Sequence, residues 1–154
     1  QEFIRDILEK EFGKTGFCKC SQAVCTRREA LPVRYKNIRQ LDITYLEYIL
    51  ENYNSSEEHI KERLNAGVMY GAFDEDRIIG FIGIHNEGSM GMLFVEEAYR
   101  KKGIGASLES YLINLQISNG LTPYCHIIEG NDKSLALQEK LGLYVADTPL
   151  WWIW

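Results

Sequence analysis

The chain holds only 3 prolines in 154 residues, and no apolar run approaches the ~20 residues needed to cross a bilayer. A proline-rich or collagen-like chain and a helical membrane span are thereby excluded. The segment from Gln1 to Phe12 lacks the basic end and apolar block of a secretory signal, so a cytoplasmic protein without membrane association is expected. Positive charge is scarce as well: 17 basic against 22 acidic residues leave a net charge of -5. No nucleic-acid partner is expected, because neutralising many phosphates requires a basic surface. The cysteines number four, Cys18, Cys20, Cys25 and Cys125. Three lie close together, yet tetrahedral zinc takes two paired ligand groups and no second pair follows. Reduced thiols and no metal are expected; a zinc-dependent interaction domain would require stoichiometric metal on the first three. What is abundant is ordinary: 45% hydrophobic and 25% charged residues describe one soluble domain, able to bury a core and keep a cleft.

Apolar spacing orders the elements. Phe3, Ile4, Ile7, Leu8 and Phe12 predict a short helix stopped by Gly13. Strands are predicted over Phe17 to Thr26 and Pro32 to Ile38, then a helix through Leu41, Tyr45, Tyr48, Ile49 and Asn52. Ser55 and Glu58 read as a capping box for a third helix carrying Ile60 and Leu64 inward and ended by Gly67. Val68 to Phe73 and Ile78 to His85 form a hairpin, and Met90 to Val95 adds a third antiparallel strand. The period then changes: Ile104, Leu108, Tyr111, Leu112 and Leu115 mark a helix from Gly103 to Asn119. A strand over Thr122 to Glu129, a helix from Asn131 or Asp132 to Leu141, and a closing strand or hairpin from Tyr144 to Trp154 complete the chain. The fold class is α+β, a mixed sheet that is mostly antiparallel. Its one parallel pair is the β-α-β unit made by the strands at Met90 and Thr122 with a right-handed crossover. Trp151, Trp152 and Trp154 suit a core, an acceptor pocket or a homodimer edge.

Two stretches carry concentrated charge. From Asp42 to Asp76 nine acidic residues face two basic ones, and from Arg27 to Arg39 the sign reverses. These are either solvated helix faces or, for the acidic stretch, a cleft wall favouring a cationic partner. The most informative run is Arg100-Lys101-Lys102-Gly103-Ile104-Gly105-Ala106, between a strand and a long helix. Two glycines allow close approach of an anion to backbone N-H groups, and the helix start adds unpaired donors and the positive end of its dipole. The pattern describes a pyrophosphate cradle, though neither a P-loop nor a Rossmann fingerprint. Tight strand-to-helix packing is the alternative reading of the glycines.

This run resembles the pyrophosphate loop of the GNAT superfamily of N-acetyltransferases, Arg/Gln-x-x-Gly-x-Gly/Ala after the fourth strand. The resemblance extends from about Val33 to Leu143 and includes Leu93-Phe94-Val95, and Asn131-Asp132-Lys133-Ser134 running on to Lys140-Leu141-Gly142-Leu143. Gly88-Ser89-Met90-Gly91 and Leu150-Trp151-Trp152 resemble the glycine N-acyltransferase-like branch. The resemblance implies one domain with residues 1–30 as an N-terminal extension and a core over about 33–154. It implies acetyl-CoA or another short acyl-CoA as co-substrate and direct transfer to a primary amine of a small, peptide or amino-acid-like acceptor. Leu93, Phe94 and Val95 would pair with pantetheine, with an N-H near Phe94 or Val95 polarising the thioester. Arg100, Lys101, Lys102, Gly103, Ile104, Gly105 and Ala106 would hold the pyrophosphate, and Asn131 and Ser134 would lie beside pantetheine or the sulfur. For Ser134 an ordinary helix cap is the alternative.

An amine that is protonated in water must lose a proton to attack a thioester, so a general base is needed. Glu87 is the first candidate, at the entry to the strand, with Ser89 able to hold a water; His85 and His126 follow. The family's usual proton donor, a Tyr in the last helix, is replaced by Gln138, which has no useful acidity. Three outcomes stay open: the thiolate leaves unaided, Tyr144 or Tyr124 substitutes, or the chain is a non-catalytic acyl-CoA-binding sensor.

Overall fold

The computed structural model describes residues 4–154, so the expected helical role of Phe3 lies outside the described residues. The described residues form two compact units: residues 27–123, and a second built from residues up to Thr26 together with Tyr124–Trp154. The fold class is the one expected, mixed α/β with mostly antiparallel strands, one parallel pair and flanking helices.

In the first segment of the second unit, α1 (Arg5–Phe12) is closed by Gly13, whose N-H returns to the Leu8 carbonyl. β1 (Phe17–Val24) follows, so the stretch expected as an extension supplies a strand on which others assemble. β6 (Tyr124–Ile128) pairs with it antiparallel along one edge. β7 (Tyr144–Val145) and β8 (Leu150–Ile153) pair antiparallel with successive parts of β1, so the chain end forms two separate strands rather than a hairpin. α5 (Asp132–Leu141) lies between β6 and β7 in sequence. Cys20, Cys25 and Cys125 are buried thiols outside any disulfide, and Cys18 is half-buried. Among the described residues no group of His, Cys, Asp and Glu converges as metal ligands. Nor is any described helix long and apolar enough to cross a membrane.

Residues 27–123 are organised around β2 (Ile38–Gln40), β3 (Met69–Asp74), β4 (Arg77–Ile84) and β5 (Met90–Val95), each antiparallel to the next. The expected strand over Pro32 to Ile38 is corrected to the three residues of β2. The chain before it is tied instead to α4 (Ile104–Ser118): Asn114 bonds both the N-H and carbonyl of Leu31, just ahead of the expected strand, and the Tyr35 N-H within it donates to Ser107 Oγ at 3.0 Å. With those backbone groups satisfied by side chains, no ladder is required.

The expected helix over Leu41 to Asn52 begins as a 3-10 turn, Ile43–Tyr45, capped by Asp42, before α2 (Leu46–Asn52). The cap of α3 (Glu57–Asn65) is Ser56, one residue beyond the predicted Ser55, with its hydroxyl accepting the His59 N-H. α2 and α3 cover one face of the strands, where Leu41, Ile49, Ile60, Leu64, Phe81 and Met92 form a closed apolar cluster. Alternate residues of β3 reach the opposite face, where Tyr70 meets Tyr111 of α4. Covered on both faces, β3 and β4 are buried almost throughout.

Candidate acyl-donor site

The end of β5 and the start of α4 produce the most distinctive backbone in residues 27–123. Gly91 pairs with Gly83 and Phe94 with Phe81, so Met92 and Leu93 together oppose Ile82. This bulge places Met92 at φ 54, a left-handed conformation uncommon outside glycine and costing about 1–3 kcal/mol. Bulges re-aim backbone groups, often beside active sites. Tyr53, the residue that closes α2, is half-buried against the apolar cluster that also holds Met92.

Beyond β5 the Glu96 N-H returns to the Ile79 carbonyl and a 3-10 turn spans Glu97–Tyr99. Arg100 then donates from Nε to the Val95 carbonyl at 2.8 Å, bracing the loop against the strand it leaves. Lys101 at φ 60 and Gly103 at φ 81 are both left-handed. Such alternation turns successive N-H groups to one side and makes an anion-binding concavity. The space a Gly103 side chain would fill is empty to 4 Å. α4 starts at Ile104 without a side-chain cap, and its first return bond runs from the Ser107 N-H to the Gly103 carbonyl. The N-H groups of Ile104, Gly105 and Ala106 therefore present the positive end of a 15-residue helix. A Cβ on Gly105 would lie 3.7 Å from Val95 Cγ2 and 3.9 Å from Leu93 Cδ2, an ordinary contact. The protein's own packing does not demand glycine there, which argues against the tight-packing reading. Lys101 and Lys102 are exposed, with Lys102 Nζ 5.1 Å above the Tyr99 ring.

On the α2 side of the strands, Phe94 packs against Phe81 and Tyr48. Tyr48 donates its hydroxyl to Glu96 Oε1 at 3.1 Å, and Arg77 holds Glu96 Oε2 at 2.5 Å. Burial, then the Glu96 carboxylate, push the Tyr48 phenol well above its ordinary range. Arg77 also lies 5.6 Å from the Tyr99 ring centroid, and Tyr99 donates to Asp74 at 2.5 Å. Several members of the acidic stretch are thus engaged: Asp42 as a cap, Glu57 with Lys61, Asp74 with Tyr99 and Asp76 with Arg39.

At the other end of β5, Glu87 sits in the turn from β4 and accepts the Ser89 hydroxyl at 2.5 Å. Ser89 is buried, and its carbonyl accepts the His85 N-H. The His85 ring covers Gly91 so closely that a Cβ there would collide with it, and it stacks on His59 at 5.6 Å.

The predicted residues Leu93, Phe94, Val95, Arg100, Lys101, Lys102, Gly103, Ile104, Gly105 and Ala106 form one continuous stretch of this unit. Glu87 lies in the same unit, beyond the bulge. Asn131 and Ser134 belong to the other unit, where Asn131 Oδ1 accepts the Ser134 N-H as the cap of α5. His126, a candidate base, accepts the Trp152 indole N-H there. Gln138 is buried in α5. Tyr53, Tyr48, Glu96 and Arg77 were not singled out from sequence. Tyr48 was visible only as one apolar position of a helix, and Tyr53 carried no local signal.

The bulged strand β5, the loop after it and the uncapped start of α4 all lie within the stretch that a known family matches. Residues 35–143 match the Acetyltransferase (GNAT) family, to which this chain belongs. Among solved structures, a Drosophila protein is 21% identical with a TM-score of 0.77, over 99% of this chain and 57% of that one. A candidate acetyltransferase of the GNAT family from Novosphingobium aromaticivorans is 17% identical with a TM-score of 0.72, over 90% and 64%. The protein AAC(6')-Iy, solved with the bisubstrate analog CoA-S-monomethyl-acetylneamine, is 19% identical with a TM-score of 0.56, over 70% and 89%. The chain therefore spans less than two thirds of the first two relatives. No curated protein matches it.

Proposed function

We propose that the chain transfers an acetyl or other short acyl group from acyl-CoA to a primary amine. The observation that carries this reading is the uncapped start of α4, preceded by left-handed Lys101 and Gly103 and lying directly after the bulged β5. The N-H groups from Lys101 to Ala106 would hold the pyrophosphate, with Lys101 and Lys102 adding charge and Arg100 keeping the loop in place. Pantetheine would run back along Val95, Phe94 and Leu93, bringing the thioester towards the bulge. The acceptor nitrogen attacks the carbonyl carbon, the C–S bond breaks with its electron pair on sulfur, and the nitrogen loses one proton. Glu87, held by Ser89, is the proposed base, reached directly or through a water.

The acceptor is proposed to be a small amine. The glycine N-acyltransferase-like wording of Gly88-Ser89-Met90-Gly91 supports an amino-acid-like one, whereas the acidic stretch supports a cationic one. A CoA-release assay over amines, amino acids and short peptides with several acyl-CoAs tests the proposal. Thiol release that depends on both an acyl-CoA and an amine is expected. Saturable CoA binding without release from any pair would instead identify an acyl-CoA sensor, and absence of CoA binding would overturn both readings.

A further inference from the structure

The turn that carries Glu87 is tied to the same helix whose start forms the proposed pyrophosphate cradle. Residues 85–89 close on themselves: the Gly88 N-H donates to the His85 carbonyl at 3.0 Å, and the His85 N-H to the Ser89 carbonyl at 2.9 Å. The Gly88 carbonyl takes part in neither bond. It accepts instead from Gln116 Nε2, in the last turn of α4, at 3.4 Å. Gly88 has φ 93, which favours glycine, so the direction of that carbonyl is built into the backbone. Gln116 is itself well anchored, being 3% exposed, with its own carbonyl accepting the Asn119 and Leu121 N-H groups. Packing alone does not explain a glutamine here. Its Oε1 is buried with no hydrogen-bond partner in the protein, and a buried acceptor left so is destabilising. An apolar side chain of the same length would fill the position without that penalty. What the amide adds is its donor, and the donor is directed at the residue next to Glu87.

We infer that Gln116 is a positioning residue for Glu87; the inference rests on the acyl-transfer reading above, with Glu87 as its base. Glu87 is exposed on a turn, where a side chain is held only by what its neighbours supply. Ser89 Oγ aims the carboxylate, and Gln116 fixes the peptide between the two. From Ile104 to Gln116 the helix rises about 18 Å. One rigid element therefore sets the separation between the donor's phosphates and the base. Gln116 needs no contact with substrate to act. Proton removal requires the carboxylate within hydrogen-bond reach of the amine, directly or through one water. A turn released from α4 loses that reach, while the cradle at the other end of the helix is untouched.

Three measurements on the full chain test this. Gln116→Met keeps the length of the side chain and removes both the donor and the orphaned oxygen, so the variant is expected to fold. It should lower kcat about tenfold with acetyl-CoA and an amine, with KM for acetyl-CoA within about twofold. Unchanged kcat, or a rise in that KM alone, would overturn the assignment. In a Glu87→Gln background the same substitution should lower kcat no further, because it acts through the carboxylate. An equal loss in both backgrounds, or full activity in Glu87→Gln alone, would overturn it. Amide hydrogen exchange gives a readout independent of activity: Gln116→Met should speed exchange of the His85 and Gly88 N-H groups at least about tenfold and leave the middle of α4 unchanged. Unaltered exchange in the turn would also overturn the inference. Failure of the acyl-transfer reading looks different, since the wild-type chain would then release no thiol with any amine while the exchange experiment still reported on the turn.

Discussion

The hydroxyl of Ser89 donates to the carboxylate of Glu87 at 2.5 Å, two residues apart across the turn into β5. A buried serine therefore aims an exposed carboxylate. If Glu87 is the base, Glu87→Gln should lower kcat about 100-fold near neutral pH with CoA affinity unchanged. Ser89→Ala should give a smaller loss, since it removes the aim and leaves the base. Steady-state kinetics beside CoA titration separate these outcomes, and full activity in Glu87→Gln removes Glu87 from the mechanism.

The two glycines of the proposed cradle, Gly103 and Gly105, should fail differently. Gly103 has a left-handed backbone with open space beside it, so Gly103→Ala should cost about 1 kcal/mol of stability from backbone strain alone. Gly105 is right-handed within the first turn of α4 and touches Val95 and Leu93 loosely. Gly105→Val should leave stability nearly unchanged and weaken CoA binding at least about tenfold, about 1.4 kcal/mol, by covering the N-H groups. Urea denaturation and CoA-induced thermal stabilisation read the two effects separately.

Stability of residues 27–123 should depend on the cluster beneath α2 and α3. Ile60 is fully buried within it, and Ile60→Ala should cost about 2–5 kcal/mol from lost burial and the cavity left behind. Chemical denaturation gives the value directly. A loss below 1 kcal/mol would mean that the helices pack more loosely than described.

Cys20 predicts a pH effect of defined sign. Burial first, and then the neighbouring Cys18, raise its thiol from an ordinary 9.0 to about 12. The folded chain therefore keeps this proton where the unfolded chain loses it. The resulting stability is complete below pH 9.0 and is lost as pH rises towards 12. The stability gap between wild type and Cys20→Ala should narrow above pH 9 and stay constant below it. At neutral pH, alkylation of Cys20 should be slower than that of half-buried Cys18.

Local patterns proved readable wherever one residue type has one conformational consequence. β5 has the predicted bounds, α4 begins one residue after Gly103, and Gly13 and Gly142 close α1 and α5. The loop geometry from Arg100 to Ala106 belongs to this group because its glycines, charge and helix start all lie within seven consecutive residues. Where a segment answers to distant partners, the periodicity misled. Pro32 to Ile38 alternates like a strand, yet Ser107 on α4 takes the Tyr35 N-H and Asn114 takes both backbone groups of Leu31 just before it. The bulge at Met92 was illegible for the same reason. Methionine has no preference for a positive φ, and a bulge is decided by two strands together. Ser56 rather than Ser55 capping α3 is a smaller case, in which adjacent serines offer the same side chain and the path of the chain selects one.

The extra residue in β5 also gives the strand an integer-counted length. Before the bulge, Met90 and Gly91 keep one register with β4; after it, Phe94 and Val95 keep another. Substitution at Leu93 changes only what fills the offset, whereas substitution at Met92 also disturbs the buried cluster. Removal of either would merge the two registers and turn Phe94 away from the α2 cluster and Val95 away from α4, because strand side chains alternate with period two. Evolutionary drift should therefore accept many side chains at Leu93, few at buried Met92, and almost no change in residue number at either.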